Sequence, residues 1–286
     1  MDILESMGAD EEVASQVARD DEYVVVKTNK YAVQAARARM RQALFAAMPE
    51  AWKRALAATP ETEADRTAME RVLDTLIGRA LARAVILPPA AALWLGLPST
   101  PAETRVVFLA HAPHSRREFS TGAALALAAA PSHEVPEMFQ AARRARRDWA
   151  AAHPSTAAFP NFNHTLQRWT AQGAALLHVH MTTEEGASGT EMGWDAFALR
   201  VLRAIDAATG GKFVIVAVGE EVARRVMGDE ALSAREVVMC AAEGGAGGFA
   251  APVFGGRVAK LPRLDVGTLC AVNDALAAMG RTPIQW

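Results

Sequence analysis

Four short apolar runs, separated by stretches with helical periodicity, most constrain what this chain can fold into. The runs are Val106–Leu109, Gly173–His180, Phe213–Val218 and Glu236–Met239. Their apolar residues are consecutive rather than alternating, which is typical of strands buried on both faces of a parallel sheet. Strands that alternate with helices pack as layers. The sequence therefore predicts an α/β fold, a three-layer α/β/α sandwich with a central, mostly parallel four-stranded sheet.

Helical patterns fill the intervals between these runs. Apolar residues recur three and four positions apart over residues 69–81 and again over residues 194–205, which predicts one apolar helix face in each segment. Composition also favours helix in Tyr31–Ala58 and Met138–Ala151. Thr59-Pro60 combines a capping hydroxyl with a proline, so we expect the first of the periodic helices to begin there.

Composition limits the classes of protein to consider. The chain has 286 residues, of which 51% are hydrophobic, and a formal net charge of -2, so it can build a large core and any contact with nucleic acid must come from a local basic patch. Its two cysteines, Cys240 and Cys270, form neither a disulfide framework nor a zinc motif and fit a reducing compartment. The most apolar segment, 80–98, is interrupted by an arginine and three prolines, so we expect no membrane span.

The division of the chain follows from charge and periodicity. Residues 1–30 are acidic and weakly periodic, and we interpret them as an N-terminal extension. Residues 31–286 are expected to form one domain. The acidic start excludes a basic secretory signal, so we expect a soluble intracellular protein.

An ordered series of motifs carries a family resemblance. Arg105–Leu109 runs into the loop Ala110-His-Ala-Pro-His-Ser115, Gly122 follows seven residues later, and the chain closes on Pro283-Ile-Gln-Trp286. This resembles the uracil-DNA glycosylase superfamily of the classical type, whose first loop reads Gly-Gln-Asp-Pro-Tyr-His and whose chain closes near Pro-Ile-Asp-Trp. The resemblance spans residues 50–286 and implies the same fold. Its other anchors are Trp52, Pro88-Pro89, Leu166–Gly173, Gly193–Phe197, Phe254-Gly255 and Asn273.

The first loop departs from the family at its functional positions. Ala112 stands where the resemblance implies the aspartate that activates the attacking water, and His114 stands where a tyrosine excludes the methyl group of thymine. Leu125 replaces the phenylalanine that stacks on uracil. An alanine methyl group accepts no proton, so the resemblance here implies a fold without its original acid–base chemistry.

The second and third motifs depart in the same way. His178 takes the position of the asparagine that reads the uracil edge. The family loop His-Pro-Ser-Pro-Leu, which stabilises the leaving uracil anion and wedges into the duplex, corresponds to Cys240–Gly248 here, with Ala242 and Glu243 at degenerate positions. No catalytic residue of the family is retained.

These departures favour a catalytically inactive glycosylase-like protein, retained for binding DNA or a protein partner in replication, repair or another assembly, without a cofactor. The DNA-related interpretation is compatible with the nucleus or another DNA-containing compartment. An alternative is weak or altered uracil excision in which histidines replace the lost groups. Other branches of the superfamily have a Gly-x-Ala-Pro first loop, which His111-Ala112-Pro113 resembles, but they keep a later histidine, and none follows His180 here. A further alternative is a scaffold that contacts no nucleic acid.

Two clusters are candidate binding sites. His178 and His180 alternate on the second apolar run and point to one face, and His111 and His114 follow the first run. This arrangement predicts either a metal or acid–base centre or, as we favour, hydrogen-bonded imidazoles that fill the pocket where the family binds uracil. The arginine cluster near Trp149, with two arginines beside the first loop, predicts a phosphate-binding patch, against a solvated helix face or a contact with an acidic protein. The candidate binding residues are His111, Pro113, His180, Arg116, Arg117, Arg143, Arg144, Arg146 and Arg147. We expect no bound metal.

Overall fold

The computed structural model describes residues 30–117, 120–125, 166–187, 192–240, 258–261 and 266–286. The strands are β1 (Ile86–Leu87), β2 (Val106–Ala110), β3 (Ala174–His178), β4 (Thr183–Glu184), β5 (Val214–Val218), β6 (Glu236–Cys240) and β7 (Val258–Leu261). The helices are α1 (Lys30–Phe45), α2 (Glu50–Ala58), α3 (Glu63–Leu81), α4 (Gln167–Thr170), α5 (Asp195–Thr209), α6 (Glu220–Met227) and α7 (Val266–Ala278).

A parallel sheet forms the centre of the molecule. Five strands lie side by side in the order β3-β2-β5-β6-β7, and every neighbouring pair runs parallel. β1 and β4 form a separate antiparallel pair. The predicted α/β class and parallel central sheet are confirmed. The four apolar runs all form strands of this sheet, and β7 is an additional edge strand that the sequence pattern did not indicate.

Each face of the sheet packs against its own hydrophobic core, which explains the consecutive apolar residues of the strands. Along β2, Val107 and Leu109 belong to one core, which α1, α2, α3, α5 and α6 cover. Val106 and Phe108 belong to the other core, which α4, α7 and the C-terminal residues cover. Successive side chains of a strand point to opposite faces, so a strand covered on both faces has no polar side. The predicted three layers are present.

The predicted helix start at Thr59-Pro60 is wrong. The Thr59 hydroxyl donates back to the Ala55 carbonyl at 2.9 Å and closes α2. The following helix, α3, begins at Glu63 and is capped by Thr62, whose side chain accepts from the Asp65 N–H, while the Asp65 carboxylate accepts from the Thr62 N–H. This reciprocal pair satisfies two amides that the first helical turn leaves open.

Tyr31–Ala58, where composition favours helix, contains two helices. α1 ends at Phe45, and Pro49 is the N-cap of α2. A proline cannot donate the N–H that a helix interior requires, so the chain breaks before it and begins a new helix. Residues 1–29 and the predicted helix Met138–Ala151 lie outside the described residues, so the division of the chain into residues 1–30 and 31–286 stays a prediction. No helix in the described ranges is both long and apolar enough to cross a membrane.

Candidate functional site

The carboxyl ends of β2 and β3 lie side by side and place the first loop beside the histidine strand. Ala110 pairs with His178 in the parallel register. The contact continues beyond the strands, because the Val179 N–H donates to the Ala110 carbonyl at 2.8 Å and the His180 N–H donates to the His111 carbonyl at 2.9 Å. Main-chain hydrogen bonds therefore fix the positions of His111 and His180 relative to each other.

The first loop presents little acid–base chemistry at its centre. Ala112 is half-buried, and its methyl group can neither donate nor accept a proton. Pro113 is buried and His114 is exposed. The Nδ1 atom of His114 accepts from the Arg116 N–H at 3.0 Å, so this imidazole is oriented by its own loop.

His178 is a buried, neutral imidazole. Its exposed fraction is 7%, and burial, with a smaller contribution from the charge of His111, lowers the pKa of His178 to about 3. Desolvation disfavours the charged form of a base, so the direction of the change follows from the position of the residue. Within the described residues, its Nδ1 atom has no hydrogen-bond partner. The ring therefore carries no charge near pH 7.

Three of the four predicted histidines come together. The rings of His111 and His180 contact edge to face, with centroids 4.9 Å apart and an interplanar angle of 75°, and the charge of His111 acts on His178. His180 is buried and His111 is half-buried. In the part of the chain that the structure describes, no group of three or more His, Cys, Asp or Glu side chains is placed to hold a metal ion.

The segment after the first loop returns to β3. Gly122 has a φ of 78°, and a Cβ at this position would overlap the main-chain carbonyl oxygen of Ala92. The Ala124 N–H donates to the Leu176 carbonyl at 3.2 Å. Leu125, half-buried and with a φ of 67°, packs against the core that contains Phe108. An aliphatic side chain here offers no ring for stacking on a base.

A carboxylate that the sequence analysis missed lies beside the first loop. Glu185 follows β4, and its side chain pairs with Arg117 at 3.6 Å. The Gly186 N–H donates to the Ser115 carbonyl at 2.8 Å and ties this turn to the loop. Arg116 and Arg117 are both exposed. No short-range pattern marks Glu185, because its position depends on the pairing of β4 with the distant β1.

The remaining predicted site residues lie outside the described residues. These are Ala242 and Glu243 in the third loop and the cluster Arg143, Arg144, Arg146 and Arg147. β6 runs parallel to β5 and ends at Cys240, opposite Val218, at the carboxyl edge of the sheet. The roles of these residues stay predictions.

Several motif residues outside the loops have structural roles. The Trp52 indole donates to the Pro98 carbonyl at 2.8 Å, and that of Trp194 donates to the Thr182 hydroxyl at 2.7 Å. The side-chain oxygen of Asn273 accepts from the Ile284 N–H at 2.9 Å, and its side-chain nitrogen donates to the Ile284 carbonyl at 3.0 Å. These bonds join α2 to the segment before β2, the start of α5 to the segment before β4, and α7 to the C-terminal residues.

Comparison with known proteins gives one consistent result. No protein-family model matches the chain. Uracil-DNA glycosylase of Azotobacter vinelandii is 26% identical over 239 residues, which are 82% of this chain and 92% of the relative. Uracil-DNA glycosylase of Pseudomonas aeruginosa is 28% identical over 159 residues, but this match spans 54% of the chain and only 63% of that relative.

Solved structures agree on the fold. A single-residue variant of mimivirus UNG in complex with UGI matches with a TM-score of 0.59 and 16% sequence identity, covering 84% of this chain and 88% of that one. Mimivirus uracil-DNA glycosylase matches with a TM-score of 0.54 and 15% identity, over 76% of this chain and 80% of that one. The chain therefore has the fold of the uracil-DNA glycosylases and resembles that superfamily in sequence over most of its length.

Proposed function

We propose that this chain is a uracil-DNA glycosylase-like protein that binds DNA or a protein partner and does not excise uracil. The observation that carries the proposal is the buried, neutral His178 beside a first loop whose central residue is Ala112. Relatives named uracil-DNA glycosylase and the shared fold support the connection with DNA.

Excision of a base requires an activated water and stabilisation of the departing base anion. Ala112 cannot activate water. His178, whose conjugate acid has a pKa of about 3, is a weak base and holds no positive charge near pH 7 to stabilise an anion. A positioned acid or base contributes about 10²- to 10⁴-fold, and a stabilising donor contributes about 10²- to 10³-fold. Loss of both groups lowers the rate by about 10⁴- to 10⁷-fold, the product of these factors.

Glu185 does not replace the missing carboxylate. Its side chain pairs with Arg117, and 38% of that side chain is exposed to solvent. A general base has to be held within hydrogen-bond reach of the water that it activates. A carboxylate that pairs with an arginine on the surface is better suited to orienting that arginine than to accepting a proton from water inside a pocket.

An excision assay tests the absence of activity. The full chain, produced in a host that lacks its own uracil-DNA glycosylase, is incubated with uracil-containing oligonucleotides, single-stranded and duplex, and the Azotobacter vinelandii enzyme serves as the positive control. We expect cleavage at the rate of the buffer control. Excision within about 100-fold of the positive control would contradict the proposal, since the lost groups are worth far more.

The alternative function is weak or altered excision by histidines, and the contact between the His111 and His180 rings favours it. The variant that combines His111→Ala and His180→Ala separates the two proposals. Slow excision by the wild type that disappears in this variant would support the histidine mechanism and refute an inactive protein. Excision at the buffer rate in both proteins would eliminate the histidine mechanism.

DNA binding is the second part of the proposal and rests on local positive charge. The formal net charge is -2, so association depends on a patch, and Arg116 and Arg117 are exposed beside the first loop. Binding weakens as salt rises, and each phosphate contact adds about 0.9 to the magnitude of the negative slope of log K against log salt concentration. The variant with Arg116→Ala and Arg117→Ala is expected to lower this slope by about 2, measured by fluorescence anisotropy.

The matched control removes the same charge elsewhere. Arg66 and Arg224 are exposed arginines that pair with acidic residues on their own helices, and the variant Arg66→Ala with Arg224→Ala should keep the wild-type slope. A second test replaces Arg143, Arg144, Arg146 and Arg147 with alanine. Equal slopes in the wild type and in both arginine-cluster variants would contradict DNA binding. The proposal would then be limited to binding a protein partner.

A further inference from the structure

A second concave site lies at the opposite end of the sheet from the histidines. It is a cavity of about 250 Å³ whose lining includes Glu103, Arg105, Gln172, Gly173, Arg281 and Thr282. Arg105 directly precedes β2 and Gly173 directly precedes β3, whereas the first loop follows β2. Five residues of extended chain separate the two ends, a distance of roughly 17 Å, so the cavity is independent of the glycosylase-like loops.

Two guanidinium groups line this cavity, and each is anchored by a main-chain carbonyl group. The Nη1 atom of Arg105 donates to the Thr282 carbonyl at 3.2 Å, and the Nη2 atom of Arg281 donates to the Thr104 carbonyl at 2.9 Å. These reciprocal contacts join the start of β2 to the residues after α7. A guanidinium has five N–H donors, so four remain on each arginine after the anchoring bond.

The cavity lining carries more positive than negative charge, with two guanidinium groups against the one carboxylate of Glu103. Neither guanidinium lies within 4.0 Å of a carboxylate oxygen of the described residues. Glu103 lines the cavity, but its carboxylate accepts from the Thr100 N–H at 3.3 Å in the capping box of a short 3₁₀ helix, Pro101–Glu103. Burial, together with the charge of Arg105, lowers the pKa of Arg281. The two like charges are therefore held close together at a cost that a bound anion would offset.

We propose that this cavity binds a small phosphate-bearing anion, either inorganic phosphate or a phosphomonoester. Guanidinium groups match phosphate oxygens with paired, charge-assisted hydrogen bonds, and both arginines belong to the lining of the cavity. Pockets for larger organic ligands occupy about 300–1,000 Å³, so the smaller volume of this cavity selects a compact anion. The carbonyl anchors hold both arginines in position before the ligand arrives, which reduces the entropy cost of binding.

Calorimetric titration of the full chain with inorganic phosphate, at constant ionic strength set with chloride, tests the site. We expect saturable binding to the wild type and at least tenfold weaker binding to the Arg105→Gln and Arg281→Gln variants. Arg66→Gln removes one exposed arginine elsewhere and should bind as the wild type does. Equal affinity in all four proteins, or no binding to the wild type, would overturn the proposal.

The carbonyl anchors of Arg105 and Arg281 also join β2 to the C-terminal residues, so a glutamine variant that fails to fold would not test the site. A second measurement therefore uses only the wild type. Phosphate should slow the modification of Arg105 and Arg281 by phenylglyoxal in the wild type, followed by mass spectrometry, and should leave Arg66 unaffected. Equal rates with phosphate and with chloride at all three arginines would contradict the site even if both glutamine variants failed to fold.

The source of the phosphate is decided by parallel titrations with ribose 5-phosphate and with an oligonucleotide carrying a 5′-phosphate. Equal affinities for the sugar phosphate and inorganic phosphate, with no gain from the oligonucleotide, indicate a free metabolite or ion. Tenfold tighter binding of the phosphorylated oligonucleotide than of its unphosphorylated form indicates a strand end. Both results support the same phosphate chemistry, and neither depends on whether the chain excises uracil.

Discussion

Replacement of His178 by leucine should remove the part of the acid sensitivity of the fold that this buried imidazole contributes. The pKa of His178 is lowered from 6.5 to about 3, first by burial and then by the charge of His111. In the unfolded chain His178 binds a proton below about pH 6.5, whereas in the folded chain it stays neutral down to about pH 3. The stability that the neutral ring contributes is therefore complete above pH 6.5 and is lost as the pH falls toward 3.

The magnitude follows from the difference between the two pKa values. A difference of about 3.5 corresponds to about 5 kcal/mol over the whole range, at about 1.4 kcal/mol for each pH unit. Between pH 7 and pH 5, the linkage relation gives about 2 kcal/mol. Between pH 7 and pH 5, the wild type should therefore lose about 2 kcal/mol more unfolding free energy than the His178→Leu variant, because leucine binds no proton.

Urea unfolding at pH 5 and at pH 7 measures the effect. At pH 7 the leucine variant should stay within about 1.5 kcal/mol of the wild type, because the side chains are similar in volume and the Nδ1 atom has no partner in the described residues. His114→Leu is the matched control, since that imidazole is exposed. A wild type and a His178→Leu variant with the same loss of stability between the two pH values would refute the burial argument.

Three further substitutions test the contacts that position the segment after the first loop and the C-terminal residues, each by urea unfolding. Gly122→Ala should cost about 2 kcal/mol or more, because φ is 78° and the new Cβ overlaps the Ala92 carbonyl; an unchanged midpoint would contradict this. Asn273→Ala should cost about 2–4 kcal/mol, since it leaves the buried N–H and carbonyl of Ile284 unpaired; a loss below about 0.5 kcal/mol would mean that water replaces both bonds. Trp286→Phe keeps a ring in the core but loses one indole hydrogen bond, so we expect a loss of about 1 kcal/mol, and a larger loss would indicate that the packing itself had failed.

The sequence predicted the sheet well because buried strands leave a local pattern. The four apolar runs match β2, β3, β5 and β6 to within two residues at each end. β7, which contains Lys260, is a four-residue edge strand without a continuous apolar run, so only its pairing with β6 makes it a strand. Edge strands are short and carry charge for physical reasons, and this removes the pattern on which the prediction depends.

The sequence does contain a pattern that marks the true start of α3, although Thr59-Pro60 was predicted instead. Thr62 and Asp65 are spaced as a threonine and an acidic residue are in a capping box, whereas the earlier Thr59-Pro60 merely precedes the helix. Capping depends on which hydroxyl faces the open amides. Thr59 is turned back onto the Ala55 carbonyl of the preceding helix, so its hydroxyl is not available at the new one.

The candidate site was only partly predictable. Parallel strands bring their carboxyl ends to one edge, so the meeting of His111, His178 and His180 followed from topology. The lowered pKa of His178 could not be predicted in this way, because it depends on how deeply the folded chain buries the ring and on the charge of His111. The paired arginines of the second cavity contact main-chain groups 177 positions away, and no local motif reports a contact of that range.

The contacts that hold the first loop in place explain how a scaffold can persist while its side-chain chemistry changes. Main-chain atoms join Val179 to Ala110 and His180 to His111, and a main-chain bond also joins Ala124 to Leu176. None of these bonds uses a side chain at positions 112, 114 or 178. Substitution there alters the chemistry of the site without breaking the bonds that position it. The geometry of a glycosylase-like site is therefore weak support for glycosylase activity, and the activity has to be judged from the groups that would move the proton and carry the charge.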